Sequence, residues 1–215
     1  MSTIKVAAAQ FTSVFLDRKA TTEKACRIIA DAGKKKVNLL VFPEAFLPAY
    51  PEWVWCNPPG KKALTNQVFE DLWQNAVAIP DETTKKLCAA AKKAKVHVVM
   101  GVNERNAEGN NATLYNTILY IDDTGAILGT HRKLVPTAAE RLVWGSGDGS
   151  TLNAFDTSIG KIGGLICWEN YMPLARYAMY AAGVQLYAAP TWDYGDVWTA
   201  SLRHIAKEGG AFVIG

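Results

Sequence analysis

Lys161-Ile162-Gly163-Gly164-Leu165-Ile166-Cys167-Trp168-Glu169-Asn170 is followed by the run from Pro173 to Gly183, and the reading of these two stretches decides the fold. Residues 159–166 are apolar and glycine-rich, the composition of a buried strand. Met172, Ala175, Met179 and Ala182 recur at helical spacing, and Gly183 supplies a C-terminal stop before a second apolar run, Val184 to Ala189. The pattern predicts strand, tight turn, helix, strand, with Cys167 at the turn. Backbone N–H groups and the positive end of the helix dipole favour a thiolate there, which suits a nucleophile. A buried, inert thiol fits the same place, so Cys167 alone does not separate chemistry from packing.

Toward the N-terminus, Ile4 to Phe11 reads as a buried strand, and Asp17 caps a helix whose apolar face is Ala25, Ile28, Ile29 and Ala32. Cys26 lies beside that face. Val37 to Phe42 is a second fully apolar strand, and strands this apolar are expected to be covered on both faces. It ends in Phe42-Pro43-Glu44-Ala45-Phe46-Leu47-Pro48. Glu44 therefore sits among aromatic and proline residues that withdraw it from water and disfavour its charged form. A general base and a turn carboxylate bonded to backbone N–H groups are both consistent with that setting.

Ala49 to Gly60 reads as a loop rich in Trp, Pro and Tyr, suited either to line an apolar pocket or to pack on the core. Leu64 to Val77 and Asp81 to Lys95 read as helices, with Cys88 packed in the second. Three strand-like runs follow: Val96 to Asn103, Leu114 to Ile121, and Ile127 to Lys133. Asp122-Asp123-Thr124-Gly125 joins the last two as a hairpin, so part of the sheet is antiparallel. His131-Arg132-Lys133-Leu134-Val135-Pro136 ends the third run, with His131 and Lys133 on one face. Two schemes compete there, a Cys–His pair using His131 and a Cys–Lys–Glu set using Lys133. Gly145 to Ser150 precedes a strand-like Thr151 to Phe155 rather than a helix, so it is read as turns and not as a dinucleotide loop. After Pro190-Thr191-Trp192-Asp193, Trp198, Leu202, Ile205, Ala206 and Gly209 mark one face of a last helix.

The 215 residues suit a single domain over 1–215, and 49% hydrophobic composition supports a soluble globular class. A net charge of +3, with lysines scattered and no aromatic residues interleaved among them, argues against a nucleic-acid partner. The N-terminus lacks the order of a signal peptide, and no run approaches the roughly 18 apolar residues of a membrane span. The four cysteines make no CxxC pair, so neither a zinc site nor a disulfide framework is indicated. A cytoplasmic location is the expectation.

Three segments in order, Phe42-Pro43-Glu44-Ala45-Phe46, His131-Arg132-Lys133-Leu134-Val135-Pro136-Thr137 and Gly164-Leu165-Ile166-Cys167-Trp168-Glu169-Asn170-Tyr171-Met172-Pro173, resemble the signatures of the nitrilase branch of the carbon–nitrogen hydrolase superfamily. The resemblance covers nearly the whole chain. It implies an α/β fold, a four-layer α-β-β-α sandwich that is C-terminally short here. It implies Glu44 as catalytic base, Lys133 as catalytic cation, Cys167 as nucleophile and Glu140 as a second, supporting glutamate. The activity so implied is cofactor-free and metal-free hydrolysis of a small organic nitrile to a carboxylic acid and ammonia, by a homo-oligomer that is a dimer or a spiral. Amidase or carbamoylase activity with the same residues, or an inactive assembly partner, are the alternatives. Trp168, Tyr171 and Trp192 are candidates to border the substrate. Glu169 is expected to complement the helix dipole from the first turn.

Overall fold

Strand β2 (Leu39–Val41) is buried along its whole length because it sits between two parallel neighbours, β1 (Val6–Ala8) and β3 (His97–Arg105). The computed structural model describes residues 3–57, 61–107 and 112–215. β3 then pairs antiparallel with β4 (Leu114–Ile121), and β4 with β5 (Ile127–Arg132), giving one sheet in the order β1-β2-β3-β4-β5. The β4–β5 turn is closed by the Asp122 carboxylate, which accepts from the N–H groups of Thr124 and Ala126. A second sheet has the order β6 (Phe155–Thr157), β7 (Gly160–Gly164), β8 (Leu186–Ala188), β9 (Phe212–Ile214), with the last three strands parallel.

The period-2 alternation of strand side chains sorts the apolar residues into layers. Leu40, Val98, Met100, Leu119 and Ile121 face outward onto α1 (Arg18–Lys34) and α4 (Glu82–Ala94), where Ala25, Ile29, Ala32, Leu87 and Ala91 meet them. Leu39, Val41, Val99, Ile118 and Tyr120 face the other way, against Ile162, Ile166, Leu186, Ala188 and Ile214 of the second sheet. The outer face of that sheet, with Tyr187 and Val213, is covered by α5 (Pro173–Ala181) and α6 (Asp196–Gly209) through Ala175, Met179, Trp198 and Ile205. The order of layers is therefore helix, sheet, sheet, helix, as the resemblance implies.

Local caps agree with the sequence at the N-termini of α1 and α4. Asp17 accepts from Ala20 N, and Asp81 and Thr84 form a reciprocal capping box. Some boundaries differ. The Ala49–Gly60 segment holds a single helical turn, α2 (Trp53–Cys56), too short to show a 3.6-residue period, while Pro58, Pro59 and Gly60 lie outside the described residues. Helix α3 spans Lys62–Asn75, and Val77 beyond it instead exchanges backbone bonds with Asn103 and Arg105. The strand expected over Thr151 to Phe155 begins only at Phe155, because Leu152 N–H closes a turn onto Gly149 and the Thr151 hydroxyl accepts from Arg132 N.

Candidate active site

The three expected residues of the Cys–Lys–Glu set stand just beyond a strand's carboxyl end or in the turn that follows it. Glu44 follows β2, Lys133 follows β5 and Cys167 lies three residues past β7. The Glu44 turn lies directly on β3, where a Cβ on Gly101 would collide with Pro43 O and Ala45 N; only glycine permits that approach. Three residues without glycine's freedom carry positive φ in these turns: Ala45 at 49°, Ala138 at 45° and Cys167 at 49°. Left-handed backbone at such residues costs about 1–2 kcal/mol each. Its recurrence beside Glu44, beside Glu140 and at the cysteine itself marks these turns as held by their surroundings.

Lys133 is the centre of the constellation. Its Nζ donates to Glu44 Oε1 and to Glu140 Oε2, both at 2.8 Å, and the side chain is buried. Burial works against the ammonium, but the two carboxylates outweigh it and hold the lysine above its ordinary pKa. Glu44 Oε1 also accepts from Asn116 Nδ2 at 2.8 Å, and Oε2 from Trp192 N at 2.8 Å. Glu140 lies in a short 3₁₀ helix, Ala138–Leu142. There it also takes Thr137 N–H and, at 2.7 Å, the Tyr50 hydroxyl. Burial and the two glutamates keep that phenol protonated, well above its usual range.

Cys167 is 4% exposed and begins a second 3₁₀ helix, Cys167–Tyr171. The expected thiolate is corrected by the structure. Burial pushes the thiol up, the Glu44 charge adds to that, and Lys133, the Thr191 hydroxyl and the Trp192 N–H pull the other way; the thiol ends at about 12. Helix α5 starts only at Pro173, so its dipole acts a turn and more away, and Cys167 N–H is bonded to Pro190 O. The resting sulfur is a thiol that needs a base.

The Cys–His scheme finds no support in the contacts of His131. Its Nε2 faces the Glu169 carboxylate at 3.0 Å, and that buried carboxylate also accepts from Leu134 N at 2.6 Å and Ile166 N at 2.7 Å. Glu169 stands in the first turn of the Cys167–Tyr171 helix, as expected, and takes the N-cap N–H of Ile166; buried, it also ties the Lys133 turn to the Cys167 turn.

Trp192 stacks on Tyr50, 4.8 Å between centroids, and donates its indole N–H to Glu52. With Phe11, Phe15, Phe46 and Glu44 it walls a groove of about 300 Å³ that reaches Thr191. Trp168 is exposed and donates to Asp193 at 3.0 Å, while Tyr171 packs edge-on against Trp168 and Trp198. Tyr50, Asn116 and Thr191 are contacts that reading the sequence missed; only the aromatic loop around Tyr50 carried a signal.

A profile of the carbon-nitrogen hydrolase family matches residues 5–215. The chain belongs to the carbon-nitrogen hydrolase family. Within it, the sequence is 46% identical over 214 residues to the "Bifunctional nitrilase/nitrile hydratase NIT4B" of Nicotiana tabacum, covering 99% of this chain and 60% of that protein. It is 44% identical over 221 residues to an "Aliphatic nitrilase" of Sinorhizobium fredii (strain HH103), covering 100% of this chain and 68% of that one. These relatives place it on the nitrilase branch. The chain spans about 60% of the length of the tobacco relatives. The fold matches a carbon-nitrogen hydrolase from Helicobacter pylori G27, TM-score 0.76 at 24% identity, over 98% of this chain and 72% of that one. It also matches Saccharomyces cerevisiae Nit3, TM-score 0.77 at 25% identity, over 98% and 73%. Among the described residues of this family member, no helix is long and apolar enough to cross a membrane.

Proposed function

We propose that this protein is a nitrilase that converts an organic nitrile and two waters to a carboxylic acid and ammonia. The observation that carries the reading is Lys133 held between Glu44 and Glu140 beside a buried Cys167, in a chain 46% identical to a protein named nitrilase.

A nitrile carbon is a weak electrophile, so the step needs a strong nucleophile and a proton for nitrogen. Glu44 takes the Cys167 S–H proton and the thiolate adds to the nitrile carbon, while the proton passes to nitrogen to give a thioimidate. Water activated by Glu44 adds next. Cleavage of the C–N bond releases ammonia and leaves a thioester, which a second water hydrolyses to the acid. Lys133 stabilises charge as it develops on the substrate, and Glu140 with Tyr50 keeps the ammonium in place. Cleavage of the C–S bond in the same tetrahedral adduct would release the amide instead, the second activity in the tobacco relative's name.

Trp192, Trp168 and Tyr171 are assigned to the substrate side of the site, with the aromatic groove beside Glu44 supporting Trp192. A cytoplasmic homo-oligomer is our further reading, supported by exposed Leu174, Tyr177, Tyr194 and Val197 on and beside α5 and α6 and by four unpaired cysteines. The deciding experiment is ammonia release from a panel of nitriles and the matching amides, with Cys167→Ala as control. Turnover of amides with inert nitriles would replace this reading by an amidase, and no turnover of either by an assembly partner.

A further inference from the structure

β7 and β8 are parallel neighbours in which Gly164 is paired with Ala188. Cys167 lies three residues past Gly164 and Thr191 three past Ala188, so the two leave the sheet side by side. The Thr191 hydroxyl lies 3.1 Å from Cys167 Sγ, and it accepts from Asp193 N at 2.8 Å. That second bond takes one of the oxygen's two lone pairs, and the hydroxyl's single proton is donated to sulfur. The same loop takes Cys167 N–H on Pro190 O and gives Trp192 N–H to Glu44, which fixes donor, sulfur and carboxylate together.

We propose that Thr191 is a further catalytic residue, whose hydroxyl holds the Cys167 sulfur as the nucleophile once Glu44 has taken its proton. The proposal rests on the nitrilase reading for its role in turnover, but not for its effect on sulfur. The S–H bond breaks, an O–H bond forms on Glu44, and the electron pair left on sulfur receives the Thr191 O–H. A neutral thiol is a weak acceptor, whereas a thiolate receives a charge-assisted bond, so the contribution appears only when the proton leaves. A bond of that kind changes the thiolate fraction by roughly 10- to 100-fold. Nucleophilicity rises with basicity by about half that logarithm, leaving a net rate change of roughly 3- to 10-fold.

The test is the rate of iodoacetamide alkylation at Cys167, followed by peptide mass spectrometry between about pH 6 and 10, where thiol ionisation controls it. Thr191→Val and Thr191→Ala are expected to slow labelling of Cys167 by roughly 3- to 10-fold at each pH across that window. Thr191→Ser is expected to stay within about twofold of the parent, because it keeps the donor. The exposed Cys56 serves as an internal reference whose labelling stays constant. Parent-like labelling of Cys167 in the Val and Ala variants, or a Ser variant as slow as Ala, overturns the proposal. Should Thr191→Val fail to fold, the Ala and Ser pair decides. Nitrile turnover of the parent is measured separately, so an inactive parent with the expected labelling pattern would overturn the nitrilase reading and leave the Thr191–sulfur bond standing.

Discussion

His131 Nε2 lies 3.0 Å from the Glu169 carboxylate, and both side chains are buried. That contact engages the His131 ring with Glu169. The same carboxylate bonds the N–H after Lys133 and the N–H before Cys167. Glu169→Gln turns an amide NH₂ toward those donors. We expect a stability loss of about 2–3 kcal/mol in urea unfolding and a fall in kcat of about 10- to 100-fold with little change in KM. A variant that loses stability but keeps its kcat would confine Glu169 to scaffolding.

Lys133→Met leaves Glu44 and Glu140 buried and facing one another without their shared cation. Breaking a buried pair from one side costs about 3–5 kcal/mol. The loss of charge stabilisation should lower ammonia release by about 10³-fold or more. His131→Ala, by contrast, is expected to retain measurable turnover; the reverse ranking would restore the Cys–His scheme.

The raised thiol predicts an alkaline weakness. An unfolded cysteine releases its proton near 9.0, while folded Cys167 keeps it to about 12. Between those values the unfolded chain binds fewer protons than the folded one, so stability falls as pH rises, by about 1.4 kcal/mol per unit from this group. Below that window the group contributes no slope. Urea unfolding of the parent and of Cys167→Ala on both sides of pH 9 checks it: the parent's slope should be steeper, and parallel curves would refute the assignment.

Gly101→Ala places a methyl group against Pro43 O and Ala45 N, the backbone on either side of Glu44. Overpacking of this kind costs about 1–3 kcal/mol. Because the displaced segment carries the proposed base, activity at a temperature where the variant is fully folded should drop by about 10-fold or more. Circular dichroism and ammonia release on the same sample separate the two effects.

Much of this candidate site was legible because Glu44, Lys133 and Cys167 each sit in a contiguous motif that resembles a family signature, at or just past the end of an apolar run. β4 was read to the residue, since its apolar residues end at a turn sequence whose Asp122 closes the hairpin. What escaped are contacts between segments far apart in the chain. Tyr50 meets Glu140 across 90 residues, and Trp192 N–H meets Glu44 across 148. No periodicity or spacing encodes such pairs. The thiolate was misjudged for a similar reason: the local dipole was visible in the sequence, but the burial and the Glu44 charge that outweigh it come from the other sheet.

The proposed base and cation hang from β2 and β5, whereas the sulfur and its hydroxyl neighbour hang from β7 and β8. The apolar seam of Leu39, Ile118, Ile162 and Leu186 therefore acts as the gauge block that sets how far apart two halves of one reaction stand. Enlarging or shrinking a side chain in that seam would retune chemistry without touching a single reacting atom.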